Sequence, residues 1–453
     1  MNYLSTFLSL SFLLFSLTGF SQTRSVILSP QWDMESKYLI DLEPRENSLA
    51  LSAGKSEGLW ISAPIALPDM GEAPFYMYAL RWEGAELTPM VRFSEDGIHW
   101  GKSRLLEKDG HFEEEGVSQT ELYSTSAENR FLQIRVRLEG DEEEMIENVE
   151  IYWCNPGKTK GELFPLSTMR SDTTPCPIPA VLTREEWCPA GNCFPDPTPQ
   201  PTEVTHLIVH HSAGSNTSSD WAAVVRAIWD FHVNFNGWDD IGYNWLIDPN
   251  GAIYEGRGND LQGAHFCGFN SFTAGICMLG TYTDVIPTGE ARRSLVELLA
   301  WKCGDKDLNP LGVSFHPPSN KNLNTISGHR DGCSTECPGN AFYPALEDIR
   351  QATSDYIQDD CFLADVVSTS FERGLSVSPN PFTEELSIQL PEYPGNWSYT
   401  FYALGSGQLM WQGQVSGSNS FSLRLTDLPQ AAYLLVLEDQ GTGRIFREKV
   451  FKF

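Results

Sequence analysis

Helical periodicity is confined to one stretch of this chain, and that confinement constrains the fold more than any other feature. Between residues 204 and 360 apolar, β-branched runs alternate with amphipathic ones; on either side helix signals are missing. Val204-Thr-His-Leu-Ile-Val-His210 reads as a buried strand and Thr273–Leu279 as another. Asp220 is placed to cap a helix with Val224, Ile228 and Phe231 on one face. Asn244–Asp248 and Ala252–Glu255 flank Pro249-Asn250-Gly251, a hairpin signal, and Ala291–Trp301 and Ala341–Tyr356 read as helices. This order predicts a multidomain chain whose central α/β domain, residues 204–360, has a mixed sheet and flanking helices.

The flanks read as all-β. Residues 22–154 carry short runs such as Tyr38–Leu42, Leu59–Ala63, Phe75–Trp82, Phe131–Leu138 and Val149–Trp153, separated by turn residues, which predicts an accessory sandwich. No catalytic constellation stands out there, and the acidic runs Glu113–Glu115 and Asp141–Glu144 read as solvated loops. Residues 155–203 are Pro-rich, a linker of extended character. Residues 374–453 return to short alternating strands, a small β-sandwich.

Residues 4–20 are apolar and uncharged, with Gly19 and Ser21 at the −3 and −1 positions of a cut after Ser21, so residues 1–21 read as a secretory signal peptide. No later run is long and apolar enough for a transmembrane anchor in the mature chain. Sixty acidic residues against 31 basic ones give a formal charge of −29, which argues against nucleic acid as a partner. The ten cysteines of an exported chain default to disulfides, and Cys188 and Cys193 are close enough to clip a Pro/Gly loop.

The chemistry concentrates in His210, His329 and Cys337. A catalytic zinc takes three protein ligands and leaves a fourth position to water. The loop Gly328–Gly339 can fold back so that its histidine and cysteine face one ion, with a histidine from a buried strand completing the set. A disulfide at Cys337 with surface histidines is the competing reading. Alternation along the strand excludes His210 and His211 from sharing one metal, and it does not say which of them faces the site.

From about Leu182 to Asp348 the chain resembles the peptidoglycan recognition protein and zinc N-acetylmuramoyl-L-alanine amidase family. The resemblance is carried by Leu207-Ile-Val-His-His-Ser-Ala213, Gly237-Trp-Asp-Asp-Ile-Gly-Tyr-Asn-Trp245, Gly251-Ala-Ile-Tyr-Glu-Gly-Arg-Gly258, Gly263-Ala-His265, Ala274-Gly-Ile-Cys-Met-Leu-Gly280, Ser327-Gly-His-Arg330 and Thr335-Glu-Cys-Pro-Gly339. Thr183-Arg-Glu-Glu-Trp187 is similar to the family's entry segment. The resemblance implies zinc on His210, His329 and Cys337, a catalytic role for Tyr243, and hydrolysis of the bond between N-acetylmuramic acid and L-alanine. Thr335 stands where some relatives have a lysine, which leaves more of the proton and oxyanion work to the tyrosine. Non-catalytic recognition members lack the cysteine ligand, so Cys337 favours an enzyme over a pure peptidoglycan-binding protein. Gly237, Trp238 and Arg257 resemble members favouring diaminopimelate-type muropeptides, Arg257 being suited to pair with the extra carboxylate; a core tryptophan and a structural arginine are the alternative. His265 is expected to line the cleft, and His206 and His232 to be ordinary packing or surface histidines.

Leu375-Ser-Val-Ser-Pro-Asn-Pro-Phe382 and the closing segment Arg444–Phe453 resemble the type A sorting domain of the type IX secretion pathway. That implies recognition by the secretion machinery and a place outside the cell or on its outer surface.

Overall fold

The computed structural model describes residues 23–29, 39–45, 48–110, 112, 114–140, 145–161, 163, 176–361, 376–390, 395–403, 409–440 and 445–452. The apolar leader, Glu113, the acidic run 141–144, residues 164–175 of the Pro-rich stretch and the basic residue opening the last segment lie outside them. The chain divides into two compact units, residues 1–357 and 358–453.

In the first unit, residues 24–155 build two antiparallel sheets of seven and six strands. Their strands alternate as a half-buried sheet requires: in Phe131–Glu139, Leu132, Ile134, Val136 and Leu138 point inward while Arg135, Arg137 and Glu139 face solvent. The two sheets enclose a core rich in aromatics, Trp60, Tyr76, Tyr78, Trp82 and Trp153 among them. Each such fully buried side chain contributes roughly 1.5–3 kcal/mol.

Two neighbouring strands of the larger sheet break this alternation. Tyr76–Gly84 and Met145–Asn155 pair with each other, and Ile151, Tyr152, Trp153 and Cys154 are buried in succession. An antiparallel sheet reads this way only where both faces are covered. Ile151 and Trp153 face the inner core, while Phe75, Met77, Ala79, Tyr152 and Cys154 join a second core that continues into the α/β region.

That region is built on a six-stranded mixed sheet, in the order Val181–Leu182, Ile253–Glu255, Trp245–Ile247, Thr273–Met278, His206–His211, Ile326–Gly328. Only Trp245–Ile247 and Ile253–Glu255 run antiparallel to each other, joined by the expected turn, in which Gly251 has φ 87° and its N–H donates to the Asp248 carbonyl. The helix Trp221–Asp230 starts where Asp220 accepts the Ala223 N–H at 2.9 Å. It is buried on nearly every face because the sheet lies on one side and the N-terminal β region on the other. Tyr152 donates to Asp230 at 2.7 Å across that boundary, and the Arg81 guanidinium lies 3.9 Å above the Phe235 ring. Helices Gly289–Lys306 and Phe342–Tyr356 pack against each other. Among the described residues no helix is long and apolar enough to cross a membrane.

In the second unit, a three-stranded and a four-stranded antiparallel sheet share one apolar core, with Leu386 and Ile388 from one and Trp397, Phe401 and Leu435 from the other.

Candidate active site

The loop that follows Ile326–Gly328 closes on itself. His329–Asp331 forms a single helical turn, the Asp331 carboxylate accepts the Gly328 N–H at 2.8 Å, and the Arg330 N–H donates to the Cys337 carbonyl. The Cys337 N–H in turn donates to Thr335 Oγ1 at 3.2 Å, so the threonine fixes the backbone at the cysteine. This fold-back carries His329 and Cys337 to the end of the strand that bears His210. The ligand atoms of the three lie within 4.8 Å of one another, at exposures of 0% for His210, 1% for His329 and 2% for Cys337.

The donor set fits zinc. Two imidazoles and a thiol suit a borderline-soft ion that takes nitrogen and sulfur tetrahedrally. Cys337 is a free thiol, as are Cys154, Cys277 and Cys303, all four buried. The neighbouring group Cys267, His329 and Cys333 is no rival, because Cys267 and Cys333 are joined in a disulfide and offer no thiolate. Cys188 and Cys193 form the expected short clip. Burial pushes the Cys337 thiol well above the usual range, an effect that the His211 N–H, donating to Sγ at 3.3 Å, works against.

The two adjacent histidines are now distinguishable. His210 Nδ1 lies 3.8 Å from Cys337 Sγ, whereas His211 Nδ1 accepts the Tyr282 N–H. His210 Nε2 meets His265 Nδ1 at 3.1 Å, and His265 Nε2 reaches Thr273 Oγ1 at 3.2 Å. That chain sets the tautomer and leaves His210 Nδ1 for an ion. His265, expected to line the cleft, is thus a buried group braced against a ligand. Its ring is admitted by Gly275, where a Cβ would lie 2.6 Å from ring carbons. Gly275→Ala is therefore expected to destabilise the fold by about 1–3 kcal/mol and to weaken zinc binding about tenfold through the displaced His265. Thermal unfolding and zinc titration check this; unchanged values in both refute the bracing role.

Tyr243 is buried with its ring centroid 5.2 Å from that of His210. Burial holds its hydroxyl well above the ordinary phenol range, so it stays a donor. The Cys277 thiol, a weak acceptor, lies beside it, and the tyrosine hydroxyl works against the burial that pushes that thiol up. Trp238 is half-buried with its ring 4.6 Å from that of His232, and Gly237, at φ 71°, makes the exposed turn before it. Arg257 has a side chain only 9% exposed, and its guanidinium donates to the carbonyls of Ile241, Gln262 and Asp240 and lies 3.6 Å from Asp196. Every guanidinium nitrogen is engaged within the protein, which makes Arg257 a brace for the turn. His206 is a packing histidine between Thr205 and Ser314; His232 accepts the Gly242 N–H and shares a small cavity with Tyr243.

Two side chains from the N-terminal β region, Asp109 and Glu121, also line the cavities at this site. Neither belongs to a motif, and no periodicity marks them.

Residues 200–340 match the family model described as N-acetylmuramoyl-L-alanine amidase. Peptidoglycan-recognition protein SC2 of Drosophila simulans is 32% identical over 161 residues, covering 35% of this chain and 80% of the relative. An N-acetylmuramoyl-L-alanine amidase of Mus musculus is 33% identical over 172 residues, 37% of this chain and 30% of that protein. Among solved structures, human PGRP-IBETAC in complex with glycosamyl muramyl pentapeptide is 28% identical, covers 38% of this chain and 96% of its own, and has a TM-score of 0.32. Matched by that family model and by a recognition protein at this identity and coverage, this chain belongs to the peptidoglycan recognition protein and N-acetylmuramoyl-L-alanine amidase family.

Proposed function

We propose that the chain is a zinc-dependent amidase that hydrolyses the bond between N-acetylmuramic acid and L-alanine in peptidoglycan. The observation that carries this reading is Cys337, a free buried thiol within 4.8 Å of two histidines, supplying the third donor. His210, His329 and Cys337 would hold the zinc, which when bound would supply Lewis-acid polarisation of the amide carbonyl and a water of pKa lowered towards ~7. The rest falls to the chain itself. Tyr243, kept protonated by burial, donates to the carbonyl oxygen as it gains negative charge. Thr273 and His265 hold His210 in one tautomer, and Thr335 holds the backbone of Cys337. The apolar leader and the C-terminal β-unit support export, with peptidoglycan outside the producing cell as the target.

Product mass spectrometry on a diaminopimelate-type muramyl peptide tests the reading. A free stem peptide beginning at L-alanine is expected, and none with His329→Ala or after EDTA. An intact substrate in the presence of zinc-loaded protein that binds it overturns catalysis and favours recognition alone.

A further inference from the structure

Two groups of three metal-ligating side chains occur among the described residues, and both contain His329. One is the set with His210 and Cys337. The other joins His329 to Cys267 and Cys333, the three ligand atoms again lying within 4.8 Å of one another. A neutral imidazole has one lone pair to give, so His329 serves one ion at a time. The Cys267–Cys333 disulfide decides between the two groups, because closing it withdraws both sulfurs from coordination.

The second group is held together by more than that bond. Asn270 Oδ1 accepts the N–H groups of His265 and Phe266 at 2.8 and 2.9 Å, and the Phe266 carbonyl accepts the Phe269 N–H at 2.7 Å. Cys267 sits inside this turn, at φ 49°. On the facing loop the His329 carbonyl accepts the N–H groups of Gly332 and Cys333, and Lys321 donates to the carbonyls of Asp331 and Gly332. The two loops meet where Gly332 admits the Phe266 ring; a Cβ there would lie 2.2 Å from it. None of these contacts runs through the sulfurs, so they hold both cysteines beside His329 when the S–S bond is open. Cys267 Sγ lies 3.6 Å from His329 Nε2. With Zn–S near ~2.3 Å and Zn–N near ~2.0–2.1 Å, that is about the spacing of a sulfur and a nitrogen on one tetrahedral zinc. Neither cysteine falls within the motifs that carry the family resemblance: Cys267 follows Gly263-Ala-His265, and Cys333 stands between Arg330 and Thr335.

We propose that Cys267, His329 and Cys333 form a second zinc site, present only in the reduced chain, and that closing the disulfide hands His329 to the set with His210 and Cys337. Two thiolates and an imidazole are a softer donor set than one thiolate and two imidazoles, so the reduced chain keeps its zinc there. His210 and Cys337 are then left without their third ligand. The change of state is a thiol–disulfide exchange. Each cysteine sulfur gives up one electron as the S–S bond forms. An incoming disulfide takes the two electrons, its own S–S bond breaks, and with two protons from water it leaves as two thiols. Zinc is released with its charge unchanged. Cys267 is the half-buried member of the pair and the point at which the exchange partner enters. Thiols stay reduced in a cytosol and pair outside it. A chain exported as proposed above thus gains its hydrolytic set only after leaving the compartment that makes it. The control of cleavage rests on the amidase reading; the second metal site does not.

The test uses full-length Cys337→Ser, in which the hydrolytic set is broken, with zinc or cobalt as the probe before and after a thiol-free phosphine reductant. Oxidised, it is expected to bind zinc at least ~100-fold more weakly than wild type. Reduced, it is expected to recover zinc affinity to within about tenfold of wild type. Its cobalt form then shows a sulfur-to-metal charge-transfer band about twice as intense as oxidised wild type, for two thiolates against one. Cys267→Ser/Cys333→Ser/Cys337→Ser and His329→Ala/Cys337→Ser, treated alike, are expected to recover neither. No recovery, equal recovery in the triple variant, or a one-thiolate cobalt band each overturns the site. If circular dichroism shows that the phosphine unfolds the chain, Cys333→Asp/Cys337→Ser decides: it opens the disulfide without reductant and leaves Cys267, His329 and a carboxylate. Zinc bound at least about tenfold more tightly than in Cys333→Ser/Cys337→Ser upholds the site, and equal affinity overturns it. Cleavage of a muramyl peptide by wild type tests the hand-over: phosphine is expected to lower it at least about tenfold with zinc still bound, and a disulfide oxidant to restore it. Undiminished cleavage by the reduced, zinc-loaded protein overturns the hand-over. An oxidised wild type that cleaves nothing removes the amidase reading, and the metal titrations alone then decide the second site.

Discussion

On the amidase reading, serine in place of Cys337 is expected to abolish zinc binding and amide cleavage while the fold and muropeptide binding persist. The thiol ionises to become a ligand, whereas an alcohol stays neutral near pH 7 and binds zinc poorly. His210 and His329 alone leave the ion two ligands short of a tetrahedral set before water is counted. Zinc affinity is expected to drop by at least ~100-fold, because losing even an outer partner of a ligand costs 10–100-fold. The fold tolerates the change: serine is slightly smaller, the site is buried, and its oxygen can still accept the His211 N–H that Cys337 Sγ accepts. Metal analysis after dialysis, product mass spectrometry and calorimetry with a muropeptide together check the prediction. Full zinc and full cleavage in Cys337→Ser would place the metal on other residues. Zinc in the wild type, with equal muropeptide affinity and no cleavage in either protein, would make the centre structural and the chain a receptor.

The elements that carry the site were legible because each rests on local chemistry. Asp220 caps its helix, Gly251 turns its hairpin, and the Gly- and Pro-punctuated loop after Gly328 folds back as such a loop can. The choice between His210 and His211 was not open to alternation alone. In the structure it follows from what covers each side of the strand: Cys337 and His265 on one, the Tyr282 amide on the other. The role of His265 depends on space above Gly275, which no spacing rule conveys.

The contact between the β and α/β regions did leave a trace in sequence. Phe75–Leu80 and Ile151–Cys154 are continuous apolar runs in antiparallel strands, the pattern of a sheet covered on both faces, where a free-standing sandwich would alternate. Glu121 left none. It is one acid in an acidic segment, and it lines cavities shared with Tyr243, Thr335 and Cys337, which are distant from it in sequence.

That contact has a polar anchor whose removal is expected to cost the fold more than any other single side chain discussed. Arg226, on the helix Trp221–Asp230, is 2% exposed. Its guanidinium donates to the carbonyls of Pro156 at 2.7 Å, Trp187 at 2.6 Å and Gly157 at 3.0 Å, and to Thr159 Oγ1 at 3.0 Å. Asp220 lies 3.8 Å away and is itself bonded to Thr159 while it caps the helix. One side chain thus ties the exit of the β region, the entry segment ending at Trp187 and the start of the helix. Methionine fills much of the volume and supplies no donor, leaving three buried carbonyls and a carboxylate without it. A loss of about 3–5 kcal/mol is expected, as for other buried charges separated from their partners. That is a large part of the roughly 5–15 kcal/mol that holds a domain together. Arg137→Met is the control, since its pairing with Glu57 and Glu139 is exposed and screened by solvent, so its loss should leave the unfolding midpoint nearly unmoved. Urea unfolding followed by tryptophan fluorescence distinguishes them. If Arg226→Met unfolds at the same midpoint as Arg137→Met, the network is dispensable and the two regions are held by apolar contact alone. If it unfolds early and loses cleavage below its midpoint as well, the helix beside Tyr243 is held in register by the β region, and the two act as one catalytic body.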